Sequence, residues 1–305
     1  MPREAFGRNH RFLGRERLLT FEEIARLARI FVSLGVRKVR LTGGEPLLRR
    51  GIEDLVEMLA CIPGLDLTLT TNGSLLAGKA RALVAAGLRR ATVSLDAMDD
   101  RSFRAMNGGC CSADRVLSGI EAASRAGMTP VKVNVVVKRG VNEGSILPIA
   151  RHFRGKGQIV RFIEYMDVGG SNGWRLDEVV SASEILAMIT AELPLEPVAP
   201  NSVGEVATRW RYRDGAGEIG IIASVTQPFC QDCNRVRLSA DGQLYTCLFA
   251  RAGYDLRGLL RSGAGDDVLS EAISRTWSTR EDRYSEIRSE RTRDLPRVDM
   301  SYIGG

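Results

Sequence analysis

The sequence predicts an α/β fold: a partial TIM-type barrel of βα units, followed by a small C-terminal α+β domain. From residue 20 to about residue 190, five short β-rich runs are each followed by a helical pattern, an alternation that is typical of a parallel sheet or barrel. The right-handed crossover of such units favours a barrel-like curve. Short strands replace the alternation from about residue 205, after a proline-containing stretch at 194–200 that we interpret as a linker. We therefore predict domains at residues 1–194 and 195–305.

The individual elements follow from local patterns. Thr20 and Glu23 form a capping-box pattern, apolar residues then recur at helical spacing, and Gly35 ends this first helix. Strands are expected at 36–42, 65–71, 91–95, 131–138 and 159–166. Helices are expected at 51–61, 77–87, 113–126, 144–154 and 181–192, and a helical and then strongly charged stretch at 267–293. The Arg/Glu run in that last stretch is expected to be mostly a solvated face.

Polar residues cluster where four of the predicted strands end. Each group alone is more typical of a turn or a helix cap. Together they favour a site, because barrel enzymes place their chemistry at the carboxyl ends of the strands. The groups are Thr42–Glu45, Thr70–Gly73, Ser94 with Asp96, and Glu164–Asp167.

Three cysteines near the C-terminus carry the strongest chemical signal. Cys230 and Cys233 are spaced to lie on one tight turn, and Cys247 follows after a predicted hairpin with its turn at 240–242. Three thiolates without an evident fourth ligand favour an iron–sulfur cluster that leaves one iron open. An open iron is a position that a substrate could use.

Other interpretations of these cysteines remain open. A structural zinc wants four ligands, and a remote His or Asp could complete a three-thiolate site. The histidines, His10 and His152, both lie far from the run in sequence. A disulfide is disfavoured, because nothing in the sequence indicates an oxidising compartment. The adjacent pair Cys110 and Cys111 is interpreted as part of a loop.

Composition narrows the class of ligand. The chain has 305 residues and a net charge of +6, mostly from arginine, which favours an anionic small molecule such as a phosphate ester. There is no basic tract interleaved with aromatic residues, so a dedicated nucleic-acid module is not expected. No apolar stretch has the length of a membrane span and no signal peptide is recognised, so a cytoplasmic location is expected.

Several motifs together resemble one enzyme family. The chain is similar to the GTP 3′,8-cyclases (molybdenum cofactor biosynthesis protein A) of the radical S-adenosylmethionine (SAM) superfamily, and the resemblance covers essentially the whole chain. The matching segments are Val39–Leu48, Thr70–Gly73, Val93–Ala97, Lys132–Val135, Arg161–Met166, the cysteine run through Phe249, and the Gly304-Gly305 end.

One family feature is missing from the sequence. Family members carry a Cys-x3-Cys-x2-Cys motif near the N-terminus for the 4Fe-4S cluster that cleaves SAM, and this chain has none. Because Met1-Pro2 resembles the residues that follow that motif, we interpret the chain as an N-terminally truncated cyclase that lacks the first barrel strand, with a bare sheet edge near residue 36. We expect the chain as given to be inactive. The alternative is a degenerate paralogue, a non-catalytic GTP-binding iron–sulfur protein.

The resemblance implies a lyase reaction and its cofactors. GTP would be converted by SAM radical chemistry into 3′,8-cyclo-7,8-dihydro-GTP, the first step of molybdenum cofactor biosynthesis. A 4Fe-4S cluster would sit on Cys230, Cys233 and Cys247, and a second one would belong to the full-length protein. Residues implied for SAM binding are Gly43, Gly44, Glu45, Ser94 and Met166.

The resemblance also implies the substrate site and the partners. GTP would be bound by Arg40, Thr71, Lys132, Arg235, Val236 and Arg237, with its guanine on the open iron. The Gly304-Gly305 tail would reach into the catalytic pocket. The implied partners are an external electron donor and, downstream, cyclic pyranopterin monophosphate synthase. A homodimer is compatible with the resemblance, whereas nucleic-acid and membrane partners are not expected.

Overall fold

One long sheet organises the protein. A computed structural model of the chain describes residues 13–168 and 173–288, together with Val298 and Tyr302. Within these residues the sheet has eight strands, in the order β1-β2-β3-β4-β5-β8-β7-β6. The strands are β1 (Lys38–Leu41), β2 (Asp66–Thr71), β3 (Arg90–Ser94), β4 (Val131–Val137), β5 (Ile159–Glu164), β6 (Leu195–Val198), β7 (Thr208–Tyr212) and β8 (Glu218–Ile222).

The parallel part of the sheet confirms the predicted βα units. Strands β1 to β5 pair in parallel in chain order, and β8 continues the parallel set beside β5. The helices are α1 (Phe21–Ser33), α2 (Ile52–Ala60), α3 (Leu76–Ala85), α4 (Asp100–Asn107), α5 (Ala113–Arg125), α6 (Ile146–Phe153), α7 (Ala182–Thr190), α8 (Leu256–Arg261), α9 (Asp266–Ser278) and α10 (Tyr284–Ile287). Both halves of the capping box at α1 are present. Among these described helices, none is long and apolar enough to cross a membrane.

One face of the sheet is apolar and packs against the helices, whereas the other face carries polar side chains. Along β4, the valines at 131, 133, 135 and 137 are buried against the helices, while Lys132 and Asn134 point to the other face. Strand register places polar residues of neighbouring strands side by side on that second face, which we call the inner face. The pairs are Arg40 with Thr68, Thr70 with Thr92, Thr92 with Lys132, and Asn134 with Arg161.

The stretch predicted as a proline-rich linker is in fact partly a strand. β6 contains Pro197 and pairs antiparallel with β7. The linker prediction is wrong there because β6 is the last strand of the sheet, where the missing N–H of a proline can face away from the ladder. Because β8 pairs with β5, one sheet contains strands from both predicted domains. The predicted domain boundary between residues 194 and 195 stays a prediction.

The predicted cysteine hairpin forms a second, small sheet. It contains β9 (Arg237–Leu238), β10 (Gln243–Tyr245) and β11 (Tyr254–Asp255). Its turn needs glycine, because Gly242 has φ +82° and a Cβ there would lie 2.7 Å from the Arg257 side chain. A separate apolar core joins this sheet, α8 and α9 to α1 through residues such as Leu244, Leu256 and Phe31. The hairpin is therefore fixed against the barrel helices.

Candidate functional site

A cluster of cations lies on the inner face of the sheet. Arg40 of β1 donates hydrogen bonds to Thr70 Oγ1 (2.9 Å) and Thr92 Oγ1 (3.2 Å). Arg161 of β5 donates to Asn134 Oδ1 (3.0 Å) and, at 3.4 Å, to the same Thr92 hydroxyl. These partners are neutral oxygens, so they orient the two guanidinium groups without compensating their charge.

The pKa values of this cluster show how closely its charges are held. Burial, followed by the charges of Arg161 and Lys38, lowers the pKa of Lys132 to about 8. Burial, followed by Arg90 and Arg40, lowers the pKa of Lys38 to about 8. Burial and Arg40 lower the pKa of Arg161 to about 10. The charge of Glu205 acts in the opposite direction on all three pKa values, and Asp66 pairs with Lys38 and Arg90, so the cations are only partly compensated. A polyanion would relieve the repulsion that remains.

The cysteine hairpin meets this cation cluster. Phe229, next to Cys230, packs with Ile163 of β5 and Ile222 of β8 at the inner face. Arg235 lies over the Phe229 ring, with its guanidinium carbon 4.9 Å from the ring centroid. The charge of Arg235 contributes, after burial and Arg90, to lowering the pKa of Arg40. The hairpin arginine and the barrel arginine therefore belong to one electrostatic site.

Arg235 and Arg237 both interact with the predicted cluster ligands. Arg235 donates through Nε and Nη2 to Cys233 Sγ at 3.4 and 3.2 Å. Arg237 is half-buried. Burial and then Arg235 lower its pKa, while the charges of Cys247 and Cys233 act in the opposite direction. The side chain of Val236, between them, packs against the second core. Its predicted role as a substrate contact stays a prediction.

The three thiols are free, half-buried and near one another. Cys233 N donates to Cys230 O at 3.1 Å, which closes the predicted turn, and Phe249 N donates to Cys247 Sγ at 3.4 Å. Burial raises the pKa of Cys247, and Cys230 adds to that rise. For Cys233, burial would raise the pKa, but the charge and hydrogen bonds of Arg235 outweigh it and the pKa is lowered.

Three thiols beside two guanidinium groups are a donor set that an iron–sulfur cluster can use. Within residues 13–168 and 173–288, no group of three or more His, Cys, Asp or Glu side chains is arranged to hold one metal ion. A zinc would need its ligands tetrahedrally around one point, whereas each thiolate of a cluster binds a different iron. The adjacent guanidinium groups would offset part of the negative charge of a thiolate-bound cluster.

The residues predicted for SAM binding line the carboxyl ends of the strands. Gly43 follows β1 with φ +139°, a conformation that favours glycine. Glu45 accepts hydrogen bonds from Leu47 N (3.0 Å), Asn72 N (2.7 Å) and the Thr71 hydroxyl (2.7 Å). Its carboxylate thus joins the loop after β1 to the end of β2 and fixes the shape of that loop.

Thr71 stands apart from the other predicted GTP contacts. Its side chain is only 2% exposed, and its hydroxyl also accepts from Gly73 N at 3.0 Å. Strand alternation places it on the face opposite Arg40 and Lys132. The structure therefore gives Thr71 a role in holding Glu45, and its contact with the nucleotide stays a prediction.

The remaining predicted residues lie at the same rim or outside the described residues. Ser94 ends β3 beside Asn134, and the half-buried Met166 lies just after β5. Asp96 accepts from Val136 N at 2.8 Å, and burial raises its pKa to about 6. Gly44 is exposed. Gly304 and Gly305 lie outside the described residues, but the Tyr302 hydroxyl donates to Asp241 in the hairpin turn at 2.5 Å.

Sequence reasoning missed several residues of the cation site. Strand alternation was the signal that could have found them, because residues two apart from Arg40 and Lys132 share their face. Applied to every strand, that rule would have added the neighbouring polar side chains. They are Lys38, Arg90, Thr92, Asn134 and Arg161.

Comparisons with known proteins agree with this architecture. Residues 4–153 match the radical SAM superfamily, and residues 158–286 match the molybdenum cofactor synthesis C family. The structure of Streptococcus suis SuiB bound to S-adenosylmethionine matches with a TM-score of 0.50 and 14% identity, over 78% of this chain and 54% of that chain. That likeness shows the fold, and the family match over residues 4–153 together with it confirms the predicted α/β class of the radical SAM kind.

Close sequence relatives define the family more narrowly. A GTP 3′,8-cyclase of Acidothermus cellulolyticus is 54% identical over all of this chain and 91% of its own length. A GTP 3′,8-cyclase of Staphylococcus epidermidis is 47% identical, again over all of this chain and 91% of its own length. The superfamily implies a 4Fe-4S cluster and SAM as cofactors. The chain belongs to the GTP 3′,8-cyclase family of the radical SAM superfamily.

Proposed function

We propose that this chain is a GTP 3′,8-cyclase whose C-terminal hairpin holds a 4Fe-4S cluster on Cys230, Cys233 and Cys247 and presents it to GTP. One observation carries the proposal. A half-buried cluster of mutually repelling cations on the barrel face is continuous with arginines that contact the hairpin thiols. A nucleoside triphosphate supplies negative charge for the cations on the barrel face, and its purine supplies a ligand for the open iron.

The chain's own residues would divide the work of holding GTP. Arg40, Lys132 and Arg161 would bind the triphosphate, since guanidinium forks match phosphate oxygens. Arg235 and Arg237 would fix the nucleotide next to the cluster. The neutral partners Thr92 and Asn134 keep two of these guanidinium groups oriented before GTP arrives, so little reorganisation is needed on binding.

A second group of residues would serve SAM. The Gly43-Gly44 backbone allows close approach of the methionine end, and Ser94 and Met166 would contact the nucleoside end. Glu45 would act indirectly, because its carboxylate is engaged by Leu47, Thr71 and Asn72. The Gly304-Gly305 tail would complete the pocket, with cyclic pyranopterin monophosphate synthase as the enzyme that consumes the product.

The sequence does not contain ligands for the second cluster that the family uses to cleave SAM. Its six cysteines are Cys61, Cys110, Cys111 and the three of the hairpin, and they include no Cys-x3-Cys-x2-Cys spacing. We expect the purified 305-residue chain to bind about four irons and GTP after anaerobic reconstitution, and to form no 5′-deoxyadenosine from SAM. Turnover of SAM above the level of a Cys230→Ala control would contradict this expectation.

GTP affinity is expected to depend on pH through the two perturbed lysines. Lys38 and Lys132 have pKa values of about 8, so both are charged in the ligand-free protein below that pH. Above it, GTP binding must be accompanied by protonation. Affinity should therefore be constant below about pH 7 and fall by roughly tenfold per lysine between pH 7 and 9.

Calorimetric titration of GTP across this pH range checks the expectation. A Lys38→Arg/Lys132→Arg double variant keeps both charges and should show only the pH dependence of the nucleotide itself. An unchanged pH profile in the double variant would show that the lysines do not contact the triphosphate.

A further inference from the structure

A charged residue far along the chain holds the turn that carries two of the thiols. Arg280, two residues after α9, donates from Nη2 to the carbonyl oxygen of Cys233 at 2.6 Å. Its guanidinium carbon lies 3.5 Å from the centroid of the Trp277 ring. The hydrogen bond reaches the backbone and not the sulfur, so it fixes the shape of the turn without occupying a ligand.

A second contact from the same part of the chain reaches Phe249, two residues after the third thiol. The rings of Phe249 and Tyr284 stack with centroids 4.2 Å apart and an interplanar angle of 22°. The backbone N–H of Phe249 is the group that donates to Cys247 Sγ. The position of Cys247 therefore depends on where Tyr284 of α10 lies.

The end of this segment is anchored in the interior. Arg288 Nε donates to Asp167 Oδ1 at 2.9 Å, and Nη1 donates to Ser224 O at 3.0 Å. The side chains of Arg288 and Asp167 are only 8% and 2% exposed. The Tyr284 hydroxyl donates to the other oxygen of Asp167 at 2.5 Å. Asp167 follows Met166, so the anchor is the rim of the barrel itself.

We propose that residues 277–288 form a clamp that sets the geometry of the three thiols before a cluster is assembled. Arg280 is the positioning residue for the Cys230–Cys233 turn, and Tyr284, held by Asp167, is the positioning residue for Cys247. The inference rests on the proposed role of these thiols as cluster ligands. The clamp would lower the free-energy cost of ordering the ligands. Thiolates that repel one another are already held in place by contacts in the folded chain before the cluster forms.

The test compares two variants with the same change in charge. Arg280→Gln loses the ring contact and the charged hydrogen bond, whereas Arg275→Gln changes an exposed residue on α9. Thiol alkylation is followed residue by residue by mass spectrometry in the iron-free folded protein over a range of pH, and the rate of the fully ionised thiolate is compared, because the charge of Arg280 also helps to lower the pKa of Cys233. We expect Cys230 and Cys233 to react about tenfold faster in Arg280→Gln, the size of one charge-assisted hydrogen bond, with the exposed Cys61 as an unchanged internal reference.

Two further variants test the separate contacts of the clamp. Tyr284→Phe retains the stacked ring and loses the hydroxyl contact with Asp167, so it should accelerate alkylation of Cys247 alone. Arg280→Lys restores the charge without the planar contact on Trp277 and should give an intermediate rate. After reconstitution, a chelator should remove iron from Arg280→Gln about tenfold faster than from Arg275→Gln.

The outcomes separate the clamp from the proposed function. Equal alkylation rates in Arg280→Gln and Arg275→Gln, with or without a fall in melting temperature, would overturn the clamp. A wild-type protein that binds no iron would overturn the cluster assignment, and the alkylation rates would then still report whether the segment orders the thiols.

Discussion

Replacing Cys233 by alanine is expected to abolish the cluster and to weaken GTP binding by at least about tenfold, or about 1.4 kcal/mol. With only Cys230 and Cys247 left, the site no longer offers three thiolates, and the open iron is lost with the cluster. The inner-face cations Arg40 and Arg161 remain, so residual GTP binding should survive. Iron analysis and visible absorption measure the loss of the cluster, and equilibrium dialysis measures the affinity for GTP.

A matched substitution separates cluster loss from the loss of any thiol. Cys61→Ala removes an exposed cysteine at the end of α2 and should leave iron content and GTP affinity unchanged. If Cys233→Ala bound GTP as tightly as Cys61→Ala did, the open iron would have no role in holding the nucleotide, although the cation site could still be correct.

Removing the buried partner of Asp167 should be the most destabilising single change outside the apolar core. Arg288→Met leaves the Asp167 carboxylate buried without its cation, and such a loss typically costs about 3–5 kcal/mol. The free energy of unfolding, measured in urea on the iron-free protein, should fall by that amount. Arg288→Met combined with Asp167→Leu removes both charges and should recover much of the loss.

A surface ion pair supplies the control for this measurement. Arg125 and Glu121 form an exposed i,i+4 pair on α5, with side chains 72% and 65% exposed. Arg125→Met should therefore cost less than about 1 kcal/mol. A similar small cost for Arg288→Met would mean that the buried pair does not anchor the C-terminal segment.

Local patterns in the sequence were sufficient for the fold. The capping box at Thr20, the strand expected at 131–138 and the turn at 240–242 each depend on residues close together in the chain, and each is confirmed. The same holds for the spacing of the cysteine turn. The strand order and register seen in the structure then place the cations of β1, β4 and β5 on the same face of the sheet.

Long-range contacts account for what the sequence did not reveal. The charged run after residue 280 was expected to be mostly solvated, and this is wrong for Arg288, which pairs with Asp167 across 121 positions. Arg280 reaches Cys233 across 47 positions. Neither pairing leaves a local pattern in the sequence. The residues near an arginine do not show whether it is buried or exposed, because that depends on a partner far away in the chain.

Thr71 shows a different limit. A polar residue at a strand end is compatible with either face of the sheet, and only the register decides between them. Here the register and the carboxylate of Glu45 direct the hydroxyl away from the inner face. Sequence alone could therefore identify the rim but not which of its polar residues point into the site.

Mössbauer spectroscopy of the ⁵⁷Fe-reconstituted protein, recorded with and without GTP, reports directly on whether GTP binds the iron that has no thiolate. We expect a 4Fe-4S cluster in which roughly a quarter of the iron signal, from the iron without a thiolate, changes when GTP binds. The other irons, held by Cys230, Cys233 and Cys247, should change little. A cluster whose spectrum is identical at saturating GTP, or a protein that carries zinc or no metal on these thiols, would contradict this assignment.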